Sequence, residues 1–190
     1  MKVGLFFGSF NPIHVGHLII ANRMAESQEV DQVWFVVSPQ NPFKKKKSLA
    51  HEFDRLDMVR LAISDNPLFN VSDIEFRMPR PSFTVDTLTY LSEKYPSYDF
   101  KLIVGEDNLE HFPKWKNYET VLDEYGLLVY PRPNSNASDL VKHPNVKFIE
   151  APLVDISATY IRKSIAEGLS LRYMVHEEVI NYIESKKLYM

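Results

Sequence analysis

A chain of 190 residues has the usual size of one domain and is long enough to bury a sizeable core. Hydrophobic residues at 45% and charged residues at 25% exclude a disordered or fibrous chain, and 22 Lys plus Arg against 25 Asp plus Glu leave a formal charge of -3, with no global pull toward nucleic acid or anionic lipid. The absence of cysteine excludes disulfide scaffolds, thiolate nucleophiles and cysteine-ligated metal centres. The first eight residues are too short an apolar run for a signal peptide, and nothing approaches the ~18 apolar residues of a membrane span, so a cytoplasmic chain with no membrane partner is expected.

Residues 3–7 form a short apolar run closed by Gly8, which fits a strand buried on both faces. A turn over 9–15 leads to a helix over 16–27. Residues 33–37 read as a second buried strand, halted by Ser38-Pro39-Gln40-Asn41-Pro42. A helix over 52–64 carries Phe53, Leu56, Val59 and Ile63 on one stripe, and 70–74 is a weaker strand. A helix over 84–95 precedes a strand over 100–104 closed by Gly105. Residues 117–123 look helical, 127–130 and 146–149 look like strands, and 134–144 is a polar loop. Two helices finish the chain. One starts near Ser157 and stops at Gly168; the other covers 175–185, with Glu177 and Glu178 early and Lys186 and Lys187 late, as the helix dipole favours.

Buried strands alternating with amphipathic helices predict a doubly wound α/β fold with a parallel sheet, whose ligands bind beyond the carboxyl ends of the strands. The first such end reads Gly8-Ser9-Phe10-Asn11-Pro12-Ile13-His14-Val15-Gly16-His17. It contains neither the dinucleotide fingerprint nor the P-loop, which disfavours a dehydrogenase and a P-loop ATPase. Gly8 allows close approach to a ligand, and His14 and His17 stand three residues apart where a helix begins. Free N–H groups and the positive helix end make that position suited to polyphosphate, and imidazole N–H groups can donate to phosphate oxygens during phosphoryl or nucleotidyl transfer. Surface histidines or local caps are the ordinary alternative, and metal ligation lacks a neighbouring carboxylate.

These ten residues resemble the signature of the HxGH nucleotidyltransferase superfamily, carried by Gly8, Phe10, Pro12, His14, Gly16 and His17. Near the other end, Ile156-Ser157-Ala158-Thr159-Tyr160-Ile161-Arg162 is similar to the superfamily's second signature. Ser157 reads as a helix N-cap and Ile161 and Ile165 as that helix's buried stripe. Arg162 opposes the helix dipole, which makes sense if it helps to hold an anion there.

Four intermediate segments resemble the bacterial nicotinate-nucleotide adenylyltransferases in order: Pro39 to Lys47; Pro81 to Leu88; Gly105-Glu106-Asp107 with Trp115; and Val129 to Pro133 with Arg132. The resemblance implies a Rossmann-like nucleotidyltransferase domain over 1–190 that joins ATP to nicotinate mononucleotide, giving nicotinate adenine dinucleotide and pyrophosphate in NAD biosynthesis. It implies His14, His17 and Arg162 as catalytic residues, and Gly8, Ser9, Phe10, Gly105, Asp107, Ser157 and Thr159 with them around ATP. Lys44, Phe83, Thr84, Trp115 and Arg132 fall to the acceptor mononucleotide, with Trp115 stacking on the pyridine ring.

Read from the residues alone, Thr84 is a helix cap and Asp86 a favourable first-turn acid; Trp34 belongs to the core. Phe43 and Phe83 depart from the family, which usually has His and Tyr there. Mg²⁺ is expected to arrive with ATP rather than in a protein cage. No nucleic acid is expected as a partner, and a homo-oligomer is left open. Transfer to nicotinamide mononucleotide, phosphopantetheine adenylyl transfer and a regulator that binds ATP without turning it over stay open as alternatives.

Overall fold

In a computed structural model that describes residues 1–39, 49–133, 135–136 and 138–190, the elements alternate as expected. They are β1 (Lys2–Gly8), α1 (Val15–Glu26), β2 (Gln32–Val37), α2 (Glu52–Ile63), β3 (Phe69–Ser72), α3 (Thr84–Lys94), β4 (Asp99–Gly105), α4 (Tyr118–Thr120), β5 (Leu127–Tyr130), β6 (Val146–Phe148), α5 (Ala158–Ala166) and α6 (Glu177–Lys186). Six parallel strands form one sheet in the order β3-β2-β1-β4-β5-β6. The chain therefore winds outward from β1 in one direction and from β4 in the other, and the crevice between those two carboxyl ends is where such sheets hold ligands.

The central strands β1 and β2 are apolar along their middles because both faces are covered. Val3 and Leu5 of β1 and Trp34 and Val36 of β2 enter one core, while Phe6, Val33, Phe35 and Val37 enter the other with α1, α2, α5 and α6. This is the period-two alternation of a strand buried on both sides. Trp34 is core, as expected.

Several boundaries differ from the sequence expectation. β3 ends at Ser72, its last residue paired with β2, and Ile74 opens a 3-10 turn that drops into the core holding Trp34. The buried stripe of α2 runs through Arg55, Leu56, Met58, Val59, Ala62 and Ile63, with Phe53 turned to solvent. After Asn117 (φ 49°) a single turn, α4, widens into a π turn over Val121–Tyr125, which brings Val121, Leu122 and Tyr125 into the core before Gly126 ends it. The polar loop over 134–144 contains a 3-10 turn at Asp139–Lys142. α6 begins later than expected because Val175 is buried ahead of it and the His176 ring caps the helix, accepting from Glu178 N–H at 3.4 Å.

Candidate active site

The loop after β1 is shaped by packing before any ligand is considered. A Cβ on Gly8 would lie 2.8 Å from ring carbons of Phe10, so that aromatic ring already leaves little room for a side chain there. Phe10 itself is a core residue with φ 42°, set edge-on to Phe6, Phe35 and His17. α1 begins at Val15, one residue earlier than expected, with His14 as its N-cap.

Beneath the loop lies a residue that the sequence reading overlooked. Arg55, fully buried, donates from Nη1 to the carbonyls of Ser9 (2.6 Å) and Ser38 (2.7 Å), from Nη2 to that of Pro39 (2.9 Å) and from Nε to that of Ala50 (3.0 Å). One guanidinium thus fastens the ends of β1 and β2 together. Its place on the buried stripe of α2, four residues before Val59, was the available signal: a charge on an apolar face needs partners.

The two histidines are organised by the helix start. His17 Nδ1 accepts from the backbone N–H of His14 at 3.3 Å, which leaves Nε2 of the neutral His17 ring as its N–H donor. The rings stack with centroids 3.7 Å apart. His14 is buried, and burial first, then the charge of Arg132, lowers its pKa from 6.5 to about 4. It is therefore neutral at pH 7, and its buried Nδ1 has no hydrogen-bond partner among the described residues. A side chain at Gly16 would crowd that ring, with Nδ1 only 3.1 Å from the added carbon.

The far end of the chain closes the site. Ser157 caps α5, its hydroxyl accepting from Tyr160 N–H at 3.2 Å. Arg162 turns back from that helix: Nη1 donates to the carbonyl of Asn11 at 2.7 Å and Nη2 to the Thr159 hydroxyl at 3.2 Å. Gly8, Ser9, Phe10, His14, His17, Ser157, Thr159 and Arg162 line one cavity of about 410 Å³.

Arg132 lines that same cavity, so the structure places it with the histidines rather than with Trp115 and Phe83. Tyr130 and Asn11 also line it and were not singled out from sequence; strand alternation in β5 and the X-Pro turn were the signals for them. Burial, opposed by the charge of Arg132, pushes the Tyr130 hydroxyl up to about 12. Gly105 and Asp107 stand beside the cavity at the end of β4, where Asp107 Oδ1 lies 3.8 Å from Arg132 Nε; neither lines it. A side chain at Gly105 would strike both Asp107 and Arg132.

Phe83, Thr84 and Trp115 occupy a different place. Phe83, not Thr84, is the N-cap of α3, and Thr84 is its first helical residue. Lys116 joins the two segments: its Nζ bonds Asp86 Oδ2 at 2.9 Å and sits 4.8 Å from the centre of the Phe83 ring. Trp115 is half-buried and packs on Phe112, with ring centres 5.2 Å apart. Beneath α3, the buried Glu75 accepts from the Thr87 hydroxyl at 2.9 Å, and burial raises its carboxyl above the ordinary range. Lys44 lies outside the described residues.

The cytidylyltransferase-like family profile matches residues 5–164. A protein of Cytophaga hutchinsonii named "Probable nicotinate-nucleotide adenylyltransferase" is 62% identical over 189 residues, covering 100% of this chain and 98% of that one. The chain belongs to the nicotinate-nucleotide adenylyltransferase family. A Flavobacterium johnsoniae relative of the same name is 50% identical over 191 residues, covering 100% of this chain and 99% of its own. Among solved structures, the nicotinic acid mononucleotide adenylyltransferase of Plasmodium falciparum complexed with NaAD superposes with a TM-score of 0.82 over 99% of this chain and 97% of that one. At 21% identity that likeness speaks for the fold, which in this adenylyltransferase family is the Rossmann-like sheet described above.

Proposed function

We propose that the chain joins ATP to nicotinate mononucleotide, giving nicotinate adenine dinucleotide and pyrophosphate in NAD biosynthesis. The observation that carries this reading is the cavity in which the His14–His17 turn and the Ser157–Arg162 segment meet, in a chain 62% identical end to end to a relative bearing that name.

The acceptor's 5′-phosphate oxygen attacks the α-phosphorus of ATP in line, and the bond from that phosphorus to the bridging oxygen breaks, so pyrophosphate leaves with the electron pair. The attacking phosphate is already ionised at pH 7 and needs no protein base. The protein's part is orientation and charge stabilisation. His17 Nε2–H, the Arg162 guanidinium, Arg132 and the N–H groups at the start of α1 are the donors for triphosphate oxygens, with the His14 ring in the same wall.

Bound with ATP, Mg²⁺ would supply charge neutralisation at the triphosphate, as an ion that favours substrate phosphates over an all-protein cage. Gly105 and Asp107 are assigned to the nucleotide, and Phe83, Thr84, Trp115 and Lys44 to the acceptor. The whole of 1–190 acts as one nucleotidyltransferase domain in the cytoplasm.

The test supplies ATP and Mg²⁺ with nicotinate mononucleotide, nicotinamide mononucleotide or phosphopantetheine in turn and follows pyrophosphate. Release with the nicotinate acceptor, and far less with the others, is the expected result. ATP binding without release for any acceptor would turn the reading toward a nucleotide-binding regulator.

A further inference from the structure

The second-last residue of the chain reaches the loop that carries the histidines. Tyr189 lies beyond α6, and two left-handed residues, Lys187 at φ 51° and Tyr189 itself at φ 65°, bend the tail back toward the sheet. Lys187 ends α6 as its left-handed cap, its N–H bonded to Glu184 and Ile183 carbonyls, and Tyr189 takes the same conformation, uncommon for L-residues. The Tyr189 hydroxyl donates to Asn11 Oδ1 at 2.7 Å. Burial raises its pKa, against the charges of Arg55 and Arg162, so it stays protonated and acts as the donor.

Asn11 takes partners on both of its oxygens. Oδ1 accepts from Tyr189 and, at 3.0 Å, from Ala50 N–H; the main-chain oxygen accepts from Arg162 Nη1 at 2.7 Å. On the preceding side Arg55 holds the Ser9 carbonyl. The peptide that anchors the Arg162 guanidinium is therefore oriented by a hydroxyl supplied from the chain's end. We propose that Tyr189 is a positioning residue of the phosphate site, acting through Asn11 on Arg162. The proposal rests on the adenylyl-transfer reading for what Arg162 does, but the coupling between Tyr189 and Arg162 can be measured without turnover.

The experiment is a double-mutant cycle of Tyr189→Phe and Arg162→Lys, with thermal unfolding used to confirm that each variant folds. Tyr189→Phe is expected to lower kcat about fivefold, the scale of one neutral hydrogen bond, with the KM for nicotinate mononucleotide unchanged. In the Arg162→Lys background the same change should cost less than about twofold, because the group being positioned has gone. Equal losses in the two backgrounds, or no loss in the parent chain, would overturn the proposal, since tail packing alone would not depend on residue 162. A chain lacking residues 189–190 serves as the second variant and carries the cycle if Tyr189→Phe does not fold. The cycle is also read in the affinity for ATP with Mg²⁺ by calorimetry. If the parent chain makes no dinucleotide, the reaction reading fails, while additive or non-additive affinities still decide the proposal.

Discussion

Around the histidine turn the holding contacts are buried or partly buried: Arg55 on four carbonyls, Tyr189 on Asn11 and the stacked imidazoles against Phe10. Around Phe83 and Trp115 the two segments are joined by Lys116, an exposed side chain on an exposed Asp86, while the Glu75–Thr87 bond lies deep beneath them. The contrast follows the chemistry asked of each region. Donors that stabilise a transition state must be fixed in advance, which suits a scaffold tied by several side-chain hydrogen bonds to backbone carbonyls. A region assigned to a flat ring needs apolar surface and can be held by weaker contacts.

The largest effect should come from breaking the buried scaffold. Arg55→Met strands four carbonyls and should lower the unfolding free energy by about 3–5 kcal/mol in urea titration. Arg55→Lys should recover only part of it, because one ammonium cannot serve four acceptors spread around a planar fork. An unchanged midpoint for the methionine variant would show that the two strand ends are held by something else.

Next comes chemistry without unfolding. His17→Ala should lower kcat about a hundredfold, or ~3 kcal/mol of barrier, while the unfolding midpoint stays near that of the parent. Wild-type turnover in this variant would remove His17 from the mechanism.

The third effect appears in pH. His14 in the folded chain has its pKa lowered from 6.5 to about 4, so between those values the unfolded chain binds the extra proton. The stability contributed by keeping His14 neutral is present above pH 6.5 and is lost as pH falls toward 4, by up to roughly 3 kcal/mol. Unfolding measured across that window should flatten in His14→Asn; the same slope in both proteins would contradict the assignment.

The smallest effect belongs to the exposed junction. Lys116→Ala should raise the KM for the mononucleotide by less than about threefold and barely alter stability, as an exposed ion pair contributes ~0–1 kcal/mol. A loss as large as that of His17→Ala would erase the distinction between the two regions.

Much of this was readable in the chain because local patterns carried it. The apolar runs ending at Gly8 and Gly105 gave the parallel strands, and Ser157 ahead of Ile161 gave the helix start. His14, His17 and Arg162 stood out because their spacing matches a known pair of signatures. Arg55, Asn11 and Tyr189 did not stand out, since, apart from Ala50 five residues before Arg55, the partners named above lie 16 to 178 residues away in sequence and only the folded sheet brings them together. Gly8 was readable as a glycine that matters, but the Phe10 ring that crowds its Cβ position was not, because that ring's placement depends on a rotamer that no local pattern fixes. The placement of Arg132 with the histidines likewise follows from the strand order, which sets β5 beside β4 and close to β1.

The account turns on one triphosphate being gripped by both ends of the chain, and a crystal structure with a non-hydrolysable ATP analogue and Mg²⁺ tests this most directly. It should show phosphate oxygens within hydrogen-bond distance of both His17 Nε2 and the Arg162 guanidinium. An analogue seated elsewhere, or touching the histidine turn while Arg162 stays on Asn11 and away from phosphate, would contradict it.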